Sequence, residues 1–387
     1  MIEALSHLAR LQPIMATWNA RILEALQARG IAIEPYPRQP LQGRSSGVAA
    51  ARAYPIQGIL KYHGLADWRL RIAYLPSISV NNDAAYTLTW VAFDPCLAED
   101  EVVINGERAT GRPWERVVAS LEAIRQVANI SSRARVISKN VTRAGRLGKG
   151  LGTSASASAA LAAAALAATL GPGIVENRRL LSCMARLLAG SGCRSATGGL
   201  SLWLSHEGMS HEESFSVRLD VHDELDDLAL LTVPLDSRIG LVTETAHREA
   251  PHSPFYPSWM ETRGPEIMEC LEALARRDWR PIGQLAELDS IRLHAITMTA
   301  SRENKLFAWE PENIPLFRLC NALRDEGIPV YFSTDTGPTT VLLTEGRFAE
   351  RVARAVEGLG LEVVQGRVAG PVTLVPLEEA AKELAIY

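Results

Sequence analysis

Apolar residues at Ile2, Leu5, Leu8 and Leu11, and again at Ile22, Leu23 and Leu26, recur at helical spacing. Pro13 divides this opening stretch into two expected helices, and a Pro-, Arg- and Gln-rich link, Pro35–Arg44, follows. The pattern then turns to strands between Gly47 and Pro95, clearest at Arg71–Leu75 and Tyr86–Phe93. Asn105-Gly106 reads as a hairpin turn after Glu101–Ile104. Residues 113–129 form an expected helix with Pro113 in its first turn, and Arg133–Ser138 a strand. Further helices are expected at 176–189, 256–277, 312–325 and 347–358. Strands are expected at Leu200–Leu204, Leu228–Val233, Ile239–Thr243, Val330–Phe332, Val341–Leu343 and 361–364. The acid-rich Asp220–Asp227 suggests a domain boundary.

Three stretches of small residues interrupt this pattern. Gly150, Leu151, Gly152, Thr153, Ser154, Ala155, Ser156, Ala157 and Ser158 run straight into an alanine-rich helix reaching Leu170. Small residues admit a ligand close to the backbone, and a helix start aims unpaired N–H groups at it, which favours an anion. A Walker-type loop is excluded, because Lys149 is followed by Gly150 rather than by Ser or Thr. The second stretch, Gly190–Gly199, reads as a loop holding Arg194, a two-pronged donor suited to a carboxylate. The third, Ser333–Thr340, places Asp335 beside Gly337-Pro338 between two strands. An anion cradle, a carboxylate clamp and a candidate base together suit transfer of a phosphoryl group to a hydroxyl.

Composition narrows the partners. At 387 residues, 47% hydrophobic and 22% charged, the chain is of ordinary globular make-up and long enough for two domains. A net charge of −4 argues against nucleic acid or an anionic membrane as the principal partner. Lysine is scarce (Lys61, Lys139, Lys149, Lys305 and Lys382), so positive charge is nearly all arginine. The five cysteines are scattered without a CxxC pair, which predicts neither a disulfide framework nor a zinc site and suits a reducing, cytoplasmic setting. His206, His211 and His222 lie among acids, and a solvated loop is expected there rather than a metal site.

Five segments in order resemble the signatures of the diphosphomevalonate decarboxylases. These are Lys61-Tyr62-His63-Gly64 with Leu75–Val80, Gly150–Leu161, Ser191–Ser195 with Gly198-Gly199, Leu288–Ser290 with His294-Ala295, and Ser333–Pro338. The resemblance implies an α+β chain of the GHMP-kinase fold, two α/β domains with the active site in the cleft between them. The expected units are a helical extension at 1–45, an N-terminal domain at 46–222, and a ferredoxin-like C-terminal domain at 223–387. It implies ATP with Mg²⁺, a phosphorylated mevalonate as substrate, and a homodimer. By the same resemblance Asp335 is base or orienter, Arg194 holds the substrate carboxylate, and Lys61 lies near the reacting groups. Tyr62, Ser191 and His63 would face the substrate, while Gly150, Gly152, Thr153, Ser154 and Ser156 would hold the nucleotide phosphates.

Two departures bear on the substrate. Leu65 stands where the signature has a second lysine, and His63 where it has tryptophan. One positive charge fewer suits 5-phosphomevalonate, with isopentenyl phosphate as product, unless Arg143, Arg146 or Lys149 restores that charge. 5-Diphosphomevalonate is the alternative substrate. A mevalonate 3-kinase, an ATP-independent bisphosphomevalonate decarboxylase and a non-catalytic binding protein are the alternative activities. Retention of Asp335 and an intact phosphate loop favours the complete ATP-dependent reaction, and a non-catalytic protein should lack Asp335 or Arg194, whereas this chain has both.

Overall fold

The computed structural model describes residues 6–143, 151–238, 243–303 and 305–386. Gly150, Arg146, Lys149 and the segment 239–242 lie outside them. Thr243, expected to end a strand, instead begins the helix Thr243–Glu249.

The first layer is a six-stranded sheet in the order Thr373–Val375, Gly47–Ala53, Ala85–Asp94, Arg133–Thr142, Glu101–Ile104, Glu107–Arg108. Asn105 and Gly106, with φ of 52° and 86°, make the left-handed reversal between its last two strands. The helix Thr153–Leu170 packs against the sheet strands Gly47–Ala53 and Ala85–Asp94. Alanine at most of its positions keeps its surface smooth enough to be buried on nearly every side. It has the length and apolarity of a membrane span, but this burial makes it the core helix of the unit. A second sheet, Ser216–Arg218, Leu200–Trp203, Ser77–Asn81, Ile56–Leu60, carries the floor of the cleft.

Beyond Asp227 the chain follows a βαββαβ order, with antiparallel strands Val330–Thr334, Thr340–Glu345, Leu228–Val233, Val364–Arg367 side by side. This is the ferredoxin-like arrangement. Helices Asn313–Asp325 and Ala349–Glu357 cover one face. On the other, helices Tyr256–Ala275 and Arg280–Ala300 share one apolar core with Ile59, Ile78, Leu200 and Leu202 of the second sheet. The last strand and the helix Leu377–Leu384 return to the first sheet, so the 223–387 segment straddles both layers.

The N-terminal extension packs on its own chain. Pro13 sits in the first turn of the helix Gln12–Ala28, after a short helix Ser6–Ala9. Ile22 and Leu26 enter the shared core, and Leu8, Leu11 and Met15 pack on Tyr256, Trp259 and Met260. Trp18 lies so close over Gly264 that a Cβ there would sit 2.1 Å from the indole.

Three local expectations are corrected. Within Arg71–Leu75 only Ile72–Ala73 is strand, paired with Leu65–Asp67 as a two-stranded ribbon. The Gly190–Gly199 stretch is not an open loop, because Gly192–Thr197 is a helix, buried at every position. His211 is not solvated: it is half-buried, bonded to Arg186 and packed edge-on against Tyr36.

Candidate active site

A cleft of about 370 Å³ opens where the second sheet, the alanine helix and the C-terminal unit meet. Its lining includes Lys61, Tyr62, Gly152, Thr153, Ser154, Ser191, Arg194 and Asp335, eight of the residues singled out by sequence. They come from four separate stretches that have no local reason to meet.

Asp335 follows the strand Val330–Thr334, and its carboxylate lies against the backbone of Gly58. Gly58 N–H donates to Oδ2 at 3.3 Å, and a Cβ on Gly58 would stand 2.6 Å from Oδ1. Only glycine leaves room for that carboxylate. Lys61 Nζ lies 3.7 Å from Asp335 Oδ1 and donates to Gly58 O (2.6 Å) and Ser333 Oγ (2.9 Å). Burial pushes the Lys61 pKa down from its ordinary value, and the Asp335 and Asp289 charges oppose that shift.

Behind Lys61 stands a fully buried bracket. Asp289 accepts from Lys61 N (2.6 Å), Trp259 Nε1 (2.6 Å) and Arg263 Nη2 (3.1 Å). At the next residue Ser290 Oγ accepts from Thr334 N at 3.0 Å, and one turn later His294 Nε2 pairs with Thr334 Oγ1 at 3.0 Å. The Leu288–Ser290 and His294 signature thus supports the strand end that presents Asp335 and the residue that presents Lys61. Neither Asp289 nor His294 lines the cleft itself.

Arg194 is the electrostatic anomaly. The short helix Gly192–Thr197 buries it to 2% exposure. Among the described residues its Nε and Nη1 are enclosed without a hydrogen-bond partner, and its guanidinium lies 5.4 Å from the Tyr62 ring centroid. Burial lowers its pKa, yet a guanidinium stays charged at neutral pH. An unmatched buried charge beside a cleft is costly unless an anion arrives there.

The alanine helix begins at Gly152, whose φ is 73°. A Cβ there would lie 2.4 Å from Ile56 O, so the loop passes the second sheet closer than any side chain allows. Among the described residues no side chain caps this helix start, which leaves its first amides for a ligand in the cleft.

Other expected residues point elsewhere. Ser156 is fully buried, donating to Thr153 O and sharing a hydrogen with Thr87 Oγ1 at 2.7 Å. His63 is fully buried behind the cleft, its ring 4.7 Å from that of His247. Gly150 is not among the described residues. Sequence reasoning also missed Thr243 and His247, which line the cleft one helical turn apart. Their four-residue spacing was the available signal, hidden because the preceding residues read as a strand. Among the described residues no cluster of three His, Cys, Asp or Glu side chains forms a metal cage.

Residues 53–216 match the family described as diphosphomevalonate decarboxylase-like N-terminal domain. The phosphomevalonate decarboxylase of Haloferax volcanii is 35% identical over 333 residues, covering 86% of this chain and 99% of the relative. The mevalonate diphosphate decarboxylase of Staphylococcus aureus superposes with a TM-score of 0.77 at 28% identity, covering 86% of this chain and 98% of that one. A structure of MDDEF in complex with MVAPP, AMPPCP and magnesium gives 0.76 at 28% identity, covering 85% and 99%. Near-complete coverage of the Haloferax relative, together with the order of elements around this cleft, shows that the chain belongs to the diphosphomevalonate decarboxylase family, on the GHMP-kinase fold.

Proposed function

We propose that this chain is an ATP-dependent decarboxylase of (R)-5-phosphomevalonate, releasing isopentenyl phosphate, ADP, phosphate and CO₂. The observation that carries this reading is the buried Arg194 guanidinium, with Nε and Nη1 unpartnered among the described residues, in the same cleft as the Asp335–Lys61 pair. The similarity to the Haloferax phosphomevalonate decarboxylase supports the choice of substrate.

In this reading Asp335 orients the substrate 3-hydroxyl and takes its proton as the oxygen attacks the γ-phosphorus of ATP. Lys61, held by Gly58 O and Ser333 Oγ, sets a positive charge beside the oxygen being phosphorylated. Arg194 meets the substrate carboxylate. When the C3–O bond breaks, phosphate leaves with that electron pair, and the carboxylate-bearing C–C bond supplies the electrons of the new double bond. CO₂ departs uncharged, so a grip on the carboxylate much tighter than Arg194 provides would oppose the step.

Gly152, Thr153 and Ser154 are where we seat the nucleotide phosphates, on the uncapped helix start. Mg²⁺ would enter with the nucleotide, held mainly by phosphate oxygens and water, and would neutralise charge on the transferring group. The hydroxyls of Thr153 and Ser154 and the Asp335 carboxylate are the oxygen donors nearest to hand.

Leu65 supports a single phosphate on the substrate. It is buried in an apolar cluster with Ala73, Cys193 and Trp203, so no charge is offered from that position. Arg143 does not replace it, being exposed and paired with Asp83 at 3.3 Å. We take the compartment to be the cytoplasm, in keeping with five unpaired cysteines, four of them buried, and the assembly to be a homodimer. Light scattering in solution tests the latter.

The test of function is purified protein with ATP and Mg²⁺, following ADP and CO₂ together on 5-phosphomevalonate and on 5-diphosphomevalonate. Matched ADP and CO₂ with the monophosphate is the expected result. ADP alone would make the chain a 3-kinase, and turnover of the diphosphate alone would move the substrate assignment.

A further inference from the structure

With its second lysine replaced by a buried leucine, the Tyr62 end of the cleft still has to recognise the far end of its substrate. The ribbon Leu65–Asp67 and Ile72–Ala73 solves this geometrically. Leu65 pairs with Ala73, and Asp67 Oδ1 accepts from Leu70 N at 2.7 Å to close the turn. Arg71, with φ of 56°, completes that turn half-buried. Among the described residues, the charged or titratable groups acting on it are Tyr62, Arg112 and Arg248, none of them a carboxylate. Those acting on Arg116 are Arg71, Arg112 and Tyr62, again without a carboxylate. Arg116 donates from Nη2 to Leu188 O, while its Nε is buried without a hydrogen-bond partner among the described residues. Arg112 and Arg248 are spoken for, both pairing with Glu244.

His247 lies on the same wall. Its ring stacks on Tyr62, with centroids 5.2 Å apart and planes 16° apart. Its Nδ1 accepts the Gly64 N–H at 3.0 Å, so the proton of the neutral ring sits on Nε2. Burial and the Arg71 charge hold its pKa down to about 4, which keeps the ring neutral near pH 7. The result is a fixed N–H donor in the field of an arginine that meets no carboxylate among the described residues.

We infer that Arg71 and His247, with Tyr62, form the seat for the single terminal phosphate of the substrate, with Arg116 reinforcing the charge. This deepens the proposed function and rests on it. Leu65 removes the lysine at one end of the ribbon, and Arg71 at the other end supplies a guanidinium in its stead. One fixed charge, one neutral donor and a phenol match a phosphomonoester better than a diphosphate.

The experiment compares KM and kcat for 5-phosphomevalonate and for mevalonate itself, which lacks the phosphate. Arg71→Leu should raise KM for 5-phosphomevalonate by about 10- to 100-fold, the range for loss of a charged hydrogen bond. Its kcat should change far less, its KM for ATP should not move, and its handling of mevalonate should stay as in the wild type. Arg71→Lys should recover part of the loss. His247→Asn keeps an acceptor for Gly64 N–H but removes the Nε2 donor, and should raise the same KM. His247→Gln restores a donor near the Nε2 position and should raise it less. Wild-type KM values in both Arg71→Leu and His247→Asn would overturn the seat, as would an equal change for mevalonate. A wild-type enzyme that uses only the diphosphate would overturn the substrate reading, and the single-phosphate seat with it.

Discussion

Two buried arginines in this chain have opposite surroundings. Arg125, on the helix Gly111–Ala128, donates to Ser132 O at 2.9 Å, pairs with Glu122 at 3.1 Å, and is bound to the buried Asp100. Asp100 also accepts from Ala134 N, so this corner ties helix to sheet with its charges matched. Arg194 is as deeply buried, yet among the described residues no carboxylate pairs with it and its Nε and Nη1 have no hydrogen-bond partner. A charge placed for stability is met by the fold, whereas a charge placed for a ligand is left for that ligand to meet.

The strongest test of that contrast acts at Asp335, which faces the cleft as Asp100 faces the core. Asp335→Asn should lower kcat by about 10²- to 10⁴-fold, the usual cost of losing a general base. Its thermal midpoint should stay near that of the wild type, and a large fall would place Asp335 with the structural charges instead. Next comes the arginine pair itself. Arg125→Met strands Asp100 and should cost about 3–5 kcal/mol in urea denaturation while the folded fraction keeps its turnover. Arg194→Met should abolish most turnover while stability holds or rises. Equal destabilisation of both variants would erase the distinction.

A smaller effect is expected at Gly58, where a methyl group would press on the Asp335 carboxylate. Gly58→Ala should lower kcat by about 10- to 100-fold through misplacement of that group, leaving KM for ATP unchanged. The smallest effect is on stability against pH. His211 and His247 are both held down to about 4 from 6.5, chiefly by burial. Between those values the unfolded chain binds protons that the folded chain refuses, so stability falls as pH drops through that window. Urea midpoints at pH 7 and pH 5 should show the decline. Replacing His211 by Asn should make it shallower without touching turnover, because His211 lies outside the cleft.

Much of the site was legible because its chemistry needs residue types that packing does not. Arg194 among glycines and serines, Asp335 beside a Gly-Pro turn, and Gly152–Ser154 before an alanine helix all stood out locally. What escaped was direction. His63 and Ser156 sit inside recognised segments, yet each turns its side chain inward, one behind His247 and the other against Thr87. His247 was invisible because the expected strand Ile239–Thr243 ended where its helix begins, and no element was expected over residues 244–249. The bracket of Asp289, Arg263 and Trp259 could be named only in part, since its members do their work through hydrogen bonds between distant helices and the Lys61 backbone.

The sequence by itself determined the strands and helices whose periodicity was strong, the Asn105-Gly106 reversal, the places where backbone had to come close, and the chemical kinds gathered at the site. Tertiary structure alone decided that Lys61 and Asp335 stand 3.7 Å apart, that Arg194 is buried at the cleft with Nε and Nη1 unpartnered among the described residues, and that Leu65 packs in an apolar core while His247 stacks on Tyr62. The physical reason is that composition and spacing set which groups a segment can offer. Which face is buried, and against what, depends on the packing of segments far apart in the chain.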